Sequence, residues 1–329
     1  MSGKPPHHTP EGFRNPLGGA YAKYTISGAD RWAFLWRRMV FPGPAPTIPE
    51  GHMLPEAEAL AGFEAMQGRP AVTWLGHAAF LLRLGGKTII TDPWLTQNAS
   101  PLGGIGVSRL VPPGMAIEKL PPIDALIISH NHYDHLDAAT VEALPNKERI
   151  TVLAPLGLGD FFRGRGYRDV RELDWHDRAQ LGAVTVTSLP AVHFSRRGLS
   201  DSNRTLWMGA MIEGDGQRIY FSGDTAHGPV FARLGERYGP FDLALVPIGA
   251  YEPLAMMRAV HTTPEDAVAL GLDLDARILL GHHWGTVILT DEPLFEPPGR
   301  FRAAGRAAGI EDDRLWLMRI GETRALNKD

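Results

Sequence analysis

Ser129-His130-Asn131-His132-Tyr133-Asp134-His135 is the stretch on which the reading of this chain turns. Three imidazoles and a carboxylate within six residues can hold two metal ions side by side, an arrangement suited to metal-assisted hydrolysis. The preceding Ile123-Asp124-Ala125-Leu126-Ile127-Ile128 is short and aliphatic, which predicts a buried strand that delivers the ligands at its C-terminal end. In extended chain, side chains two apart point the same way, so His130 and His132 can grip one ion together. Asp134 and His135 follow after the chain has turned. Asp137 then offers an N-cap for a helix from Ala138 to Leu144, which anchors the loop from its far side.

Working outward, two ions need more donors than this motif holds, and three candidates fall just past other apolar runs. His193 follows Val184 to Leu189, Asp224 follows Ile219 to Gly223, and His283 follows Ile278 to Gly281. Further strands are predicted at Ala71 to Leu75, Ala79 to Leu84, Lys87 to Thr91, Ile150 to Leu153, Ala183 to Leu189, Leu206 to Ile212, Gln217 to Ser222, Leu243 to Pro247 and Arg277 to Gly281. Gly85-Gly86 suits a two-residue hairpin. Thr263-Pro264-Glu265-Asp266 reads as a helix start running to about Leu270, and a second helix is predicted near Arg300 to Ala308. Residues 94 to 122 form a Gly/Pro-rich passage too long for a plain connection. Strands in two groups with interspersed helices predict an α/β (α+β) chain folded as a four-layer αββα sandwich.

Composition sets the outer bounds. The chain has 329 residues, 44% of them hydrophobic and 21% charged, which suits a globular protein with a sizeable core. The expected division is an N-terminal extension over 1–69 packing on a main domain over 70–329. Lys and Arg total 33 against 37 Asp and Glu, a balance of −4 that gives no footprint for nucleic acid. No cysteine is present, so a metal must be held by His and carboxylates. Met1-Ser2-Gly3-Lys4-Pro5-Pro6 lacks the apolar core of a signal peptide, and no run of about 18 apolar residues exists. A cytoplasmic location follows as the expectation.

The full series resembles the metal site of the metallo-β-lactamase fold superfamily: His-x-His-x-Asp-His, a distant His, a Gly-Asp-Thr and a final His. Within it, the chain is similar to the branch of N-acyl-phosphatidylethanolamine-hydrolysing phospholipases D. The residues that carry the likeness run from Ala71 to the C-terminus. They include Thr73 to Ala78, Thr91-Asp92-Pro93, Leu120 to Ala125, Ser129 to Asp137, Phe221 to Thr225, Gly239 to Leu243, Pro247 to Pro253 and His283-Trp284-Gly285-Thr286. The resemblance implies that one ion takes His130, His132 and His193, the other Asp134, His135 and His283, with Asp224 bridging. Two zinc ions per chain are expected, because neutral imidazoles and carboxylates suit zinc, with iron or manganese second. A metal-bridging hydroxide would then attack a phosphodiester, as in a phospholipase D acting on N-acyl-phosphatidylethanolamine or a related phospholipid. A smaller phosphodiester or a lactone is the alternative substrate on the same site.

Other residues carry two readings each. Asp92 is either a strand-end turn residue or an acceptor that orients a ligand imidazole from behind, and His77 either does the same or is a satisfied buried histidine. By the same resemblance His261 lies beside the substrate, acting with Asp134 in catalysis, or else it caps or packs. Tyr251, Met256 and Met257 are candidates for substrate contact, since Met adapts to flexible apolar ligands, while core packing explains them equally well. Arg196 and Arg197 either meet a phosphate or form a solvated loop. Trp32, Leu35, Trp36 and Met39 fall at helical spacing and suit either packing or peripheral membrane contact. His227 is a weaker site candidate. His7, His8, His52 and His176 have no supporting context in the sequence. The expected partner is a phospholipid or another small ester; the oligomeric state stays open, a dimer included.

Overall fold

The computed structural model describes residues 4–16, 46–100 and 106–326. The Trp32–Met39 stripe and part of the Gly/Pro-rich passage lie outside the described residues. Two seven-stranded sheets make the body of the molecule. The first contains β1 (Ala71–Gly76), β2 (Ala79–Leu84), β3 (Lys87–Thr91), β4 (Ala125–Ile127), β5 (Thr151–Pro155), β6 (Asp169–Leu173) and, from the end of the chain, β14 (Thr323–Ala325). Its order is β6-β5-β4-β3-β2-β1-β14. The second runs in sequence order through β7 (Arg178–Leu181), β8 (Val184–Leu189), β9 (Gly209–Gly214), β10 (Gln217–Phe221), β11 (Phe241–Pro247), β12 (Ala276–His282) and β13 (Leu315–Trp316).

Side-chain alternation explains why the sheets stack. On β2, Phe80, Leu82 and Leu84 join the core shared with the second sheet, whereas Ala79 and Leu81 turn to the outer face. Ile89 and Ile90, Ala125 and Leu126, and Leu153 and Val152 split the same way. Phe80 meets Phe221 across the interface with ring centroids 6.4 Å apart. Replacing such a buried Phe by Ala costs about 3–5 kcal/mol, so the interface dominates stability.

Helices close the outer faces. Helix α1 (Glu56–Ala65) lays Ala59 and Phe63 on the first sheet beside Val141 of α2 (Ala138–Ala143) and Phe162 of α3 (Gly159–Arg163). The second sheet is covered by α4 (Val230–Tyr238), with Phe231 against Tyr220 at 6.4 Å, by α6 (Pro264–Asp273) and by α7 (Pro297–Ala307). A one-turn helix, α5 (Leu254–Met257), precedes α6. The expected αββα order is therefore observed.

Local signals worked as their chemistry requires. Gly85 and Gly86 have φ of 55° and 71°, the left-handed pair that a tight hairpin between β2 and β3 needs. Asp137 caps α2 by accepting from the N–H groups of Ala139 and Thr140, a contribution of about 1 kcal/mol. Thr263 and Asp266 form a reciprocal capping box on α6. One strand prediction needs correcting: β9 begins at Gly209, not Leu206. The Leu206 N–H donates to Leu156 O and that of Met208 to Ser129 O, so this backbone ties two loops together instead of extending the sheet.

Candidate metal centre

All the metal-ligand candidates collect at one edge of the sandwich, and strand direction explains why. β1 and β3 run alike because each is antiparallel to β2, and β4 is parallel to β3. β8 and β10 run alike because each is antiparallel to β9, and β12 follows β11 and β10 in parallel. The C-terminal ends of these strands therefore share one rim. His77 follows β1, Asp92 follows β3 and His130 to His135 follow β4. From the second sheet, His193 follows β8, Asp224 follows β10 and His283 follows β12. Gly223 has φ 56°, and a Cβ there would lie 2.3 Å from Ser129 Cβ; only glycine lets the Asp224 turn close on the His130 loop.

Two donor groups result, each with its ligand atoms within 4.8 Å of one another: His130, His132, His193 and Asp224; and His77, Asp134, His135 and His283. In the first, His130 Nε2 lies 2.8 Å from His132 Nδ1, which is 3.3 Å from His193 Nε2. In the second, His135 Nε2 and His283 Nε2 are 3.3 Å apart. Asp134 Oδ2 lies 3.7 Å from each. Asp224 sits between the groups, its Oδ2 3.1 Å from His135 Nε2 and 4.0 Å from His130 Nε2, its Oδ1 3.2 Å from His283 Nε2.

Hydrogen bonds behind the ligands set which nitrogen faces inward. Ser129 Oγ donates to Asp92 Oδ2, so toward His130 Nδ1, 2.8 Å away, it has only a lone pair to offer. His130 must therefore carry its proton on Nδ1 and present a bare Nε2 to the centre. Asp92 also accepts from His135 Nδ1 at 2.7 Å, and Val260 O accepts from His193 Nδ1 at 2.8 Å, with the same consequence. Asp92, fully buried, thus orients His135 and, through Ser129, His130.

A cluster of inward lone pairs and two carboxylates is repulsive unless cations fill it. Without metal, protons must do so. Burial pulls His135 and His283 down, but Asp224 and Asp134 outweigh it, holding His135 well above its usual range and His283 up at about 9. Burial keeps His132 down at about 3 and His193 at about 4, the neutral forms that bind metal. Burial opposes ionisation of Asp134 and Asp224, yet the surrounding imidazoles hold both well below the carboxylate range. Asp224 Oδ1 is buried and turned into the cluster, 3.2 Å from His283 Nε2, as a ligand oxygen facing a cation would be. The residues present fit two divalent ions.

The flanking candidates divide. His77 Nε2 lies 3.0 Å from Asp134 Oδ2 and its ring lies 3.9 Å from that of His283, so it is placed to hold the candidate ligand Asp134. His261 lines the centre, Nδ1 3.9 Å from Asp224 Oδ2 and without a hydrogen-bond partner. Met256 and Met257 are half-buried on α5, whose end carries His261 through the bonds of Val260 N–H and His261 N–H to Met257 O. Tyr251 is fully enclosed beneath the Arg300 guanidinium, 4.6 Å from its ring, and presents no surface to a ligand. His227 pairs with Asp273 at the end of α6.

Arg197 is engaged by protein, not left for a phosphate. It stacks on Tyr133 at 4.0 Å and donates to Asn131 O and Leu136 O, bracketing the ligand loop at both ends. Arg196 is exposed, its Nε bonded to Gly198 O. Sequence reasoning gave no role to Ser129 or Asn15, and for Arg197 it weighed a phosphate contact or a solvated loop rather than this brace. Asn15, from the N-terminal arm, accepts the His193 backbone N–H at 3.0 Å and the Trp207 indole N–H at 3.1 Å.

Comparison with known proteins agrees with this geometry. The β-lactamase superfamily domain matches residues 87–284. An uncharacterized protein of Mycobacterium tuberculosis is 43% identical over 241 residues, 72% of this chain and 64% of that protein, so the match spans under two-thirds of the relative's length. N-acyl-phosphatidylethanolamine-hydrolyzing phospholipase D 1 of Caenorhabditis elegans is 40% identical over 263 residues, 76% of this chain and 74% of its own. Among solved structures, a metallo hydrolase from Ignicoccus hospitalis superposes with a TM-score of 0.60 at 22% identity, covering 79% of this chain and 99% of that one. The chain belongs to the metallo-β-lactamase superfamily of metal-dependent hydrolases.

Proposed function

We propose that the protein is a zinc-dependent phosphodiesterase of the phospholipase D type, acting on N-acyl-phosphatidylethanolamine or a closely related phospholipid. The observation that carries the reading is the 40% identity to the nematode phospholipase over three-quarters of both chains. Two bound divalent ions would supply an activated water and neutralise charge on phosphoryl oxygens. His130, His132 and His193 would hold one, Asp134, His135 and His283 the other, with Asp224 shared.

The chain's own residues do the rest. Burial keeps His261 well below its usual pKa, hence neutral, so it serves by donating a ring N–H to an anionic or leaving oxygen rather than as an imidazolium acid. Met256 and Met257, half-exposed beside it, suit an acyl chain. Leu254 is 40% exposed on α5 and Leu199 is 96% exposed on the loop after His193, a placement that favours peripheral contact with a lipid surface. No helix among the described residues is long and apolar enough to cross a membrane.

The test is turnover of N-acyl-phosphatidylethanolamine, bis(p-nitrophenyl) phosphate and a lactone by the zinc-loaded protein. Cleavage of both phosphodiesters is the expected result, and activity on the lactone alone would overturn the assignment. His261→Ala should lower kcat about 100-fold while leaving the bound zinc unchanged, as loss of one positioned donor does. Loss of zinc in that variant would instead give His261 a structural role.

A further inference from the structure

A second cluster of metal-type donors lies away from the central site. His7 Nε2 is 2.6 Å from Asp174 Oδ1 and His8 Nε2 is 2.7 Å from Asp174 Oδ2. Adjacent residues in extended chain normally face opposite ways, yet these two turn onto one carboxylate, their rings 4.7 Å apart. Both rings are fixed from behind, His7 stacked on Trp175 at 4.0 Å and His8 edge-on to Phe13 at 5.0 Å. Asp174 is oriented in turn by the Trp175 N–H at 2.8 Å.

We propose that His7, His8 and Asp174 form a third, peripheral site for a divalent transition ion, zinc by its ligand chemistry, separate from the central pair. Two imidazoles and a carboxylate, with the carboxylate side chain 19% exposed, leave an open position for solvent to complete a four-coordinate shell. Burial lowers the pKa of His7, which favours the neutral ligand form.

The site fastens the N-terminal arm where that arm supports the main centre. From His8 the chain makes a two-stranded ribbon (His8–Thr9 with Gly12–Phe13), Phe13 N–H bonds Asn203 O, and Asn15 then receives the His193 N–H. Trp175, which stacks on His7, donates its indole N–H to Trp207 O, and Trp207 bonds the same Asn15 oxygen. An ion at the arm thus buttresses the wall that carries His193.

The test is equilibrium dialysis of the full chain against micromolar Zn2+, with metal counted per chain, for the wild type, the His7→Ala/His8→Ala double variant and Asp174→Asn. Both variants should bind about one ion fewer than the wild type, and the last ion taken up should perturb tryptophan emission only in the wild type. The difference does not depend on how many ions the central site takes. Equal metal content in all three proteins would overturn the proposal and leave the trio as a hydrogen-bonded latch.

Discussion

At the scale of single residues, the centre is governed by which imidazole nitrogen is bare. Asp92, Ser129 Oγ and Val260 O take the outer protons of His135, His130 and His193, so protons and metal compete for the same inner lone pairs. Asp224→Asn keeps the shape but removes the charge shared by both groups. Outer partners of metal ligands are worth about 10–100-fold in affinity or activity. The loss here should therefore exceed about 100-fold in turnover, with metal released on dialysis; wild-type turnover would refute the bridging role. The competition also sets a pH dependence. In chelator-treated protein, His132 at about 3 and His193 at about 4 lie below the unfolded 6.5, so the unfolded chain binds more protons and stability falls as pH drops below 6.5. His283, raised to about 9, adds stability that is full below 6.5 and lost as pH rises through 9. Calorimetry of the metal-free protein should thus show Tm highest near pH 6.5. Bound metal replaces the His283 proton and should abolish the alkaline decline; the same decline with metal present would contradict this. The seven candidate donors that the structure gathers at one rim could be picked out in sequence because each falls just past an apolar run. Asn15 was not, because its partner His193 is 178 positions away and the bond uses a backbone N–H that any residue offers.

At the scale of elements, ligand placement depends on loops held at both ends. Arg197 ties Asn131 O and Leu136 O, while Asp137 caps the helix that follows. Arg197→Ala should weaken retention of the central metals about 10-fold or more in chelator competition while the circular dichroism of the sheets is kept; unchanged retention would show that the loop needs no brace. Most central strands were readable from apolar runs and turn chemistry. The edge strands were not: β6 (Asp-Val-Arg-Glu-Leu) and β7 (Arg-Ala-Gln-Leu) are polar and half-exposed, and β13 and β14 have two and three residues. Pairing with a neighbour, not their own pattern, makes them strands. α1 escaped notice because its apolar residues, mostly alanines, are spread around the helix instead of forming one face; only Ala59 and Phe63 are buried.

At the scale of the molecule, the two sheets repeat one plan: four antiparallel strands, β14 with β1 to β3 and β7 to β10, each continued by parallel strands. Sequence periodicity does not reveal this, because the two halves share topology and not spacing. Each donor group draws on both sheets, His193 and Asp224 joining His130 and His132, and His283 joining Asp134 and His135. Metal binding is therefore expected to clamp the sandwich at one rim as well as to supply the chemistry. The measurement that tests the central claim most directly is hydrolysis of N-acyl-phosphatidylethanolamine by the zinc-loaded protein in 18O water, with products read by mass spectrometry. Direct attack of water on phosphorus predicts phosphatidic acid carrying one solvent oxygen, together with an unlabelled N-acylethanolamine. Label in the N-acylethanolamine, release of a fatty acid, or no turnover would contradict it.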